Sequence, residues 1–130
     1  APPVVVSASA PGKAHAGKPM TISVKISIPH GWHIYGPGKV NTGIPTAVTV
    51  DAPKGFKVTK TSYPPTKMFE ALGETVPVFE GTATVKLTVV APKNAHGKQN
   101  FTVKVAHQAC NDRTCQLPAT AEAKFSVNFN

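Results

Sequence analysis

Two cysteines, Cys110 and Cys115, are the most reactive side chains that the sequence offers, and it contains no others. Four residues, 111–114, separate them. The preceding run at 101–106 alternates apolar and polar residues, which predicts a strand leading to Cys110. Residues 111–114 would then form a tight turn, and two cysteines across such a turn are close enough to pair.

A bond between these cysteines could be a structural cross-link or a redox reagent. A cross-link stabilises mainly by restricting the unfolded chain, and a loop this short contributes only about 2 kcal/mol. A redox pair benefits from the same closeness, because one cysteine can attack a partner while the other waits to resolve the mixed disulfide. Spacing alone leaves both roles open.

The residues around the pair bear on its reactivity. Arg113 in the turn would favour a thiolate, and Asp112 beside it would oppose one. His107 falls on the core parity of the strand, so a packed or hydrogen-bonded histidine is the favoured interpretation. Gln108 and Cys110 fall on the opposite parity and are expected off the core face if no bulge intervenes, where a cysteine is more available for chemistry.

Other chemistries find little support. Three histidines could join the cysteines at a metal, but no histidine or methionine follows Cys115 closely, as a blue-copper site requires. Zinc needs four ligands in compact spacing, which the histidines do not supply. There is no glycine-rich phosphate loop and no evident pair of carboxylates. We therefore expect no metal and no cofactor other than a redox-active disulfide.

Length and composition indicate one globular domain spanning residues 1–130. The 130 residues suffice for one core and fall short of two. Hydrophobic content of 41% against 15% charged residues argues against disorder. No apolar run approaches the ~20 residues of a membrane span. Because the chain begins with Ala1 and shows no leader, we expect a processed protein or an excised domain.

The formal net charge is +8, from 14 Lys and Arg against 6 Asp and Glu. Nucleic-acid binding would favour clustered cations interleaved with aromatic residues. Here Lys25, Lys86, Lys104 and Lys124 instead fall on the polar parity of alternating runs, which is typical of solvated strand faces. We expect no nucleic-acid partner, although a basic surface could steer acidic proteins.

Alternation and turn residues predict an all-β fold. Thirteen prolines and ten glycines divide the chain into short runs rich in β-branched residues. The predicted strands are residues 4–10, 20–28, 32–35, 46–50, 56–62, 79–91, 101–110 and 120–129. Residues 66–77 have no period and predict a loop with a bend at Gly73. About eight such strands favour two packed antiparallel sheets.

Three stretches, in order, resemble a known family. Gln-Ala-Cys-Asn-Asp-Arg-Thr-Cys-Gln-Leu-Pro at 108–118 resembles the active-site segment of the N-terminal periplasmic domain of the thiol:disulfide interchange protein DsbD. Gly-Trp-His-Ile-Tyr at 31–35 is similar to the same family, as is Tyr-Pro-Pro at 63–65 followed by Val-Phe-Glu-Gly at 78–81.

The resemblance implies an immunoglobulin-like antiparallel β-sandwich that acts as a protein-disulfide reductase domain. It implies a periplasmic monomer. In the full-length protein this domain would be tethered to the inner membrane as part of a membrane reductase. A thioredoxin-like domain would donate electrons. A periplasmic disulfide isomerase or a cytochrome-maturation thioredoxin would accept them. The alternative is a β-sandwich binding or adhesion module with a purely structural disulfide.

The resemblance also implies roles for particular residues. The second cysteine, Cys115, would form mixed disulfides with partners, and Cys110 would resolve them. A cap over the pair would include Phe69, Glu70 and Leu72.

An aromatic strand beneath the site would contain His33 and Tyr35, and Gln108 would support the pair from the preceding strand. His33 stands where the best-known members have a tyrosine, and the cysteine spacing here is one residue shorter.

Overall fold

The computed structural model describes residues 3–38, 43–71 and 73–130. These residues form strands and turns without a helix, so the predicted all-β class is confirmed. Accordingly, this part of the chain has no helix long and apolar enough to cross a membrane. In chain order the strands are β1 (Val5–Ser9), β2 (Lys13–Ala14), β3 (Pro19–Ser27), β4 (His33–Tyr35), β5 (Ala47–Asp51), β6 (Lys57–Ser62), β7 (Lys67–Ala71), β8 (Glu74–Phe79), β9 (Thr82–Val90), β10 (Gly97–His107), β11 (Ala109–Cys110) and β12 (Ala119–Phe129).

The strands form three four-stranded sheets. The first has the order β1-β3-β9-β6, the second β2-β12-β10-β5 and the third β11-β4-β8-β7. The strands pair antiparallel, except that β2 runs parallel to β12. The first two sheets are the predicted packed pair. The third sheet was not predicted, because it uses segments that the alternation did not identify as partners.

The core lies between the first two sheets. From the first sheet, alternate residues of β3 and β9 point inward, and from the second, alternate residues of β10 and the end of β12. The alternation from which these strands were predicted therefore corresponds to one buried and one solvated face. Burying a branched aliphatic or aromatic side chain contributes roughly 1.5–3 kcal/mol each. The fully buried members include Ile22, Val24, Ile26, Val85, Leu87, Val89, Phe101, Val103, Val105 and Val127.

Strands β7 and β8 form a hairpin where the sequence pattern predicted a loop. Strand β7 pairs with β8, and Gly73 sits in the turn at φ +80°, so the predicted bend there is confirmed. Strand β8 was not predicted because it contains Pro77. Proline has no N–H to donate to a ladder and therefore argues against a strand interior. Its carbonyl nevertheless accepts a hydrogen bond from the Gly36 N–H at 2.9 Å. The hairpin is thereby attached to the segment that follows β4.

The chain changes sheets immediately before the first cysteine. Strand β10 ends at His107, and β11 joins the third sheet by pairing with β4. His107 is buried with its Nδ1 3.0 Å from the Val105 carbonyl oxygen, which confirms the packed-histidine interpretation. Ala109 and Cys110 are buried in succession, so alternation fails here. The expectation that Cys110 is available was therefore wrong, because the change of sheet breaks the parity of β10.

Candidate active site around the disulfide

Cys110 and Cys115 form a disulfide whose Cα atoms lie 4.0 Å apart. Asn111 organises the turn between them. Its N–H donates to the Thr114 carbonyl at 2.9 Å, and its Oδ1 accepts from the N–H groups of Arg113 (2.9 Å) and Thr114 (2.8 Å). Asparagine suits such a position because its side chain bonds the backbone two residues ahead. The predicted turn at 111–114 is confirmed.

The two cysteines have different surroundings. Cys110 is 2% exposed and packs with Tyr35 and Val78, whereas Cys115 is exposed. The Tyr35 hydroxyl lies 3.6 Å from the Cys110 Sγ. A disulfide sulfur carries no proton, so the tyrosine is the donor in this contact. An incoming thiolate therefore meets Cys115 first.

The β7–β8 hairpin packs over the buried cysteine. Phe69 and Val76 contact the small cluster of Tyr35, Val78 and Cys110. The Phe69 ring also lies against the His33 ring, with centroids 4.2 Å apart. His33 pairs with Cys110 across the β4–β11 ladder. The structure thus brings together Phe69, His33 and Tyr35, the residues that the family resemblance suggested for the cap and for the strand beneath the site.

The acidic residue at the cleft is not the one that the sequence suggested. Glu70 is exposed and has the opposite strand parity to Phe69, so it faces away from the cluster. The cleft beside the disulfide has a volume of about 600 Å³. The acidic residues among those that line it are Glu74 and Asp112. Had the hairpin been predicted, alternation along β8 would have placed Glu74 on the same face as Val76, which contacts the cluster. Leu72 lies outside the described residues.

Gln108 joins two segments next to the disulfide. Its Nε2 donates to the Gln116 carbonyl at 3.1 Å, and its Oε1 accepts from the Ile44 N–H at 3.1 Å. The Gln116 N–H in turn donates to the Ala109 carbonyl at 2.8 Å. The segment after Cys115 is therefore held against β11 by two hydrogen bonds, one from the Gln108 side chain and one between backbone groups.

Comparison with known proteins identifies the family. The sequence profile described as "Thiol:disulfide interchange protein DsbD, N-terminal" matches residues 2–126. The chain belongs to this family. It is accordingly a thiol:disulfide interchange domain, and Cys110–Cys115 is its cysteine pair. No protein in the curated set of sequences matches the chain.

Solved structures share the fold of this DsbD N-terminal family member. The DsbD N-terminal domain of Neisseria meningitidis, in the reduced form, superposes with a TM-score of 0.59 at 16% identity, over 96% of this chain and 85% of that one. The N-terminal periplasmic domain of ScsB from Proteus mirabilis gives 0.59 at 13% identity, over 93% of this chain and 44% of that one. The predicted immunoglobulin-like sandwich is confirmed.

Within the ranges that the structure describes, no three His, Cys, Asp or Glu side chains come together as metal ligands.

His33, which pairs with Cys110 across the β4–β11 ladder, is a buried titratable side chain at the site. Burial lowers the pKa of His33 from its ordinary value of 6.5, although the negative charges of Glu80 and Asp112 act in the opposite direction. His33 is 4% exposed. The neutral imidazole is therefore the form that fits under Phe69.

Sequence reasoning also missed Gly43, which packs on the ring of Tyr35. Its φ is +81°, and a Cβ built there would overlap the Tyr35 ring. A glycine is thus required both by backbone conformation and by space. Nothing in the local sequence indicates the contact, because Gly43 lies in a loop and Tyr35 is eight residues earlier.

We expect acid to open the cap through His33. Because its pKa is lowered when the cap is closed, the closed form is fully favoured above pH 6.5 and loses stability as the pH falls below that value. The disulfide reduction rate of wild type, divided by that of His33→Phe, should rise as the pH is lowered from about 7.5 to about 5.5. Taking the ratio at each pH cancels the titration of the reducing agent. A ratio independent of pH would show that His33 does not couple to the cap.

Proposed function

We propose that the Cys110–Cys115 disulfide relays two electrons between thioredoxin-fold proteins in the periplasm. The donor is the thioredoxin-like domain of a membrane reductase, and the acceptor is a periplasmic disulfide isomerase or a cytochrome-maturation thioredoxin. The observation that carries the proposal is the asymmetry of the pair, one cysteine buried and the other exposed. The ScsB relative, described as a periplasmic domain, supports the location.

Reduction begins at the exposed cysteine. A donor thiolate attacks the Cys115 Sγ, the Cys110–Cys115 bond breaks, and Cys110 leaves as a thiolate. The second donor cysteine then attacks the mixed disulfide and releases Cys115. The donor ends as a disulfide, and this domain holds two thiols after taking up two electrons and two protons.

The second half transfers the electrons onward. The Cys115 thiolate attacks an oxidised acceptor and forms a mixed disulfide with it. Cys110, held next to Cys115 by the turn, then attacks the Cys115 Sγ. The intramolecular bond reforms, and the acceptor leaves as a dithiol. The five-residue separation serves this resolving step because it keeps the second thiol within reach.

The surrounding residues shield and position the pair. We assign Phe69 as the cap side chain, with His33 and Tyr35 beneath it and Gln108 as the positioning residue for the segment after Cys115. The unit that performs this chemistry is residues 1–130 acting as one monomeric domain. Glu70 faces away from the cluster, so we assign it no role in shielding. Leu72 remains a predicted cap residue.

The test is equilibration of the disulfide with glutathione, followed by mixing the reduced domain with an oxidised thioredoxin-fold protein. A relay should equilibrate at a potential well above about −300 mV and should reduce its partner. A disulfide that resists glutathione below about −300 mV, with no transfer to a partner, would instead favour a binding module with a structural cross-link.

A further inference from the structure

The outer face of the first sheet carries four lysines. Residues paired in a ladder project to the same side of the sheet. Lys25 and Lys86 alternate with the buried residues of β3 and β9, so they point outward. Lys60 pairs with Thr88 and Lys57 with Val90, both on the outward parity of β9. All four lysines are exposed.

Hydroxyl groups occupy most of the remaining outward positions of this face. Rows across the strands follow the register: Ser9, Ser23, Lys86 and Ser62 form one row, and the next contains Ser7, Lys25 and Thr84. The outward hydroxyl residues are Ser7, Ser9, Thr21, Ser23, Ser27, Ser62, Thr82, Thr84 and Thr88.

No carboxylate lies on the four strands of this sheet. The six acidic residues of the chain lie in strands of the other two sheets (Asp51, Glu70, Glu74 and Glu122) or in connecting segments (Glu80 and Asp112). Within the described ranges, none of the four outward lysines takes part in an ion pair.

The outer face of the second sheet is different. Lys104 there lies 2.8 Å from a carboxylate oxygen of Asp51 and 3.9 Å from one of Glu122. Positive charge on that face is partly neutralised within the molecule. The first sheet therefore presents a uniformly cationic, hydroxyl-rich surface that has no charge partner of its own.

We propose that this lysine face docks on a surface of anionic phospholipid headgroups. Lysine binds phosphate as a point charge, and a lysine near an anionic bilayer contributes about 1 kcal/mol. A protein partner would favour aromatic, Met or Arg residues at the centre of the interface, and single-stranded nucleic acid would favour aromatic stacking. The four strands of the face carry no outward aromatic or Arg residue.

Docking through the lysine face leaves the disulfide free. The residues lining the cleft lie on the third sheet, in the turn and in adjoining loops, and none belongs to the first sheet. A domain lying on the bilayer in this way would still present Cys115 to partners. The inference goes beyond the relay, and its test requires no thiol exchange.

The experiment measures co-sedimentation of the oxidised chain with vesicles at low ionic strength. One vesicle contains phosphatidylglycerol in phosphatidylcholine, and the other contains phosphatidylcholine alone. Lys25→Gln/Lys86→Gln removes two charges from the lysine face. The control Lys98→Gln/Lys124→Gln removes two from the outward side of the second sheet, so both variants fall from +8 to +6.

Wild type should bind the anionic vesicles and not the neutral ones. The lysine-face variant should bind about 30-fold more weakly, at about 1 kcal/mol per lysine. The control should stay within about threefold of wild type, because its lysines lie on the other sheet. Unchanged far-ultraviolet spectra and disulfide reduction rates confirm that both variants are folded.

Three results would overturn the proposal. Equal losses in both variants would mean that net charge alone drives binding. Equal binding to neutral vesicles would exclude recognition of anionic lipid. Retention on a soluble polyanion such as heparin without vesicle binding would assign the face to a soluble partner.

Discussion

Cys110→Ala is expected to accumulate a long-lived mixed disulfide with a thioredoxin-fold partner, and Cys115→Ala is expected to accumulate little. In the first variant the exposed Cys115 thiolate can attack, but no resolving thiol remains. In the second, the remaining Cys110 is 2% exposed beneath the hairpin, so a partner has little access to its sulfur. Attack on a disulfide requires three sulfurs nearly in line, so access decides which cysteine reacts.

The measurement uses a partner with one active-site cysteine, activated as its thionitrobenzoate adduct. Such a partner cannot reverse the trap with a second thiol of its own. Release of thionitrobenzoate and a non-reducing gel should show Cys110→Ala reacting about tenfold faster or more, because reactivity follows exposure. Equal rates, or trapping only by Cys115→Ala, would reverse the assigned roles.

Both single variants should stay folded, which makes the comparison valid. The loop closed by the disulfide is short, so losing it costs about 2 kcal/mol. Typical domains are stable by roughly 5–15 kcal/mol. The two variants lose the same bond, and therefore any difference in trapping reports on the cysteine that remains.

The sandwich could be predicted because its strands follow the simple rule of one buried and one solvated face. Strands β3, β9 and β10 alternate cleanly, and the β3–β9 and β10–β12 registers each match inward residue with inward residue. The β7–β8 hairpin was not predicted, because its strands are short and one of them contains Pro77. A pattern rule detects burial against a main core, and it fails where a small sheet packs on a small cluster.

The site was predictable where chemistry is local and not where it depends on topology. The cysteine pair and its turn follow from spacing, and His33 and Tyr35 from family resemblance. The burial of Cys110 depends on the chain leaving one sheet for another, which parity cannot foresee. Glu74 lines the cleft because it belongs to the hairpin that was not predicted, and Gly43 lines it through its contact with Tyr35, eight residues earlier.

Phe69→Ala is expected to speed reduction of the disulfide by a small thiol about two- to twelvefold. The Phe69 ring lies 4.2 Å from that of His33 and packs on the cluster that includes Cys110. An aromatic pair contributes roughly 0.5–1.5 kcal/mol beyond its buried area. Losing that energy shifts the balance from the closed to the open hairpin by the stated factor, since each 1.36 kcal/mol is about tenfold. Opening speeds reduction even though the thiol attacks Cys115, because Cys110 leaves as a thiolate and its apolar cover disfavours that charge.

Met68→Ala is the matched control for the cap, because Met68 lies next to Phe69 on the same strand but on its opposite face. Its side chain is exposed and packs on neither Tyr35 nor Cys110. The reduction rate of this variant, followed with dithiothreitol in excess, should equal that of wild type. If Met68→Ala accelerates reduction as much as Phe69→Ala, the effect is a general loosening of the hairpin. If neither variant changes the rate, Phe69 does not control access, and the disulfide is approached from the open side of Cys115 whether or not the hairpin is closed.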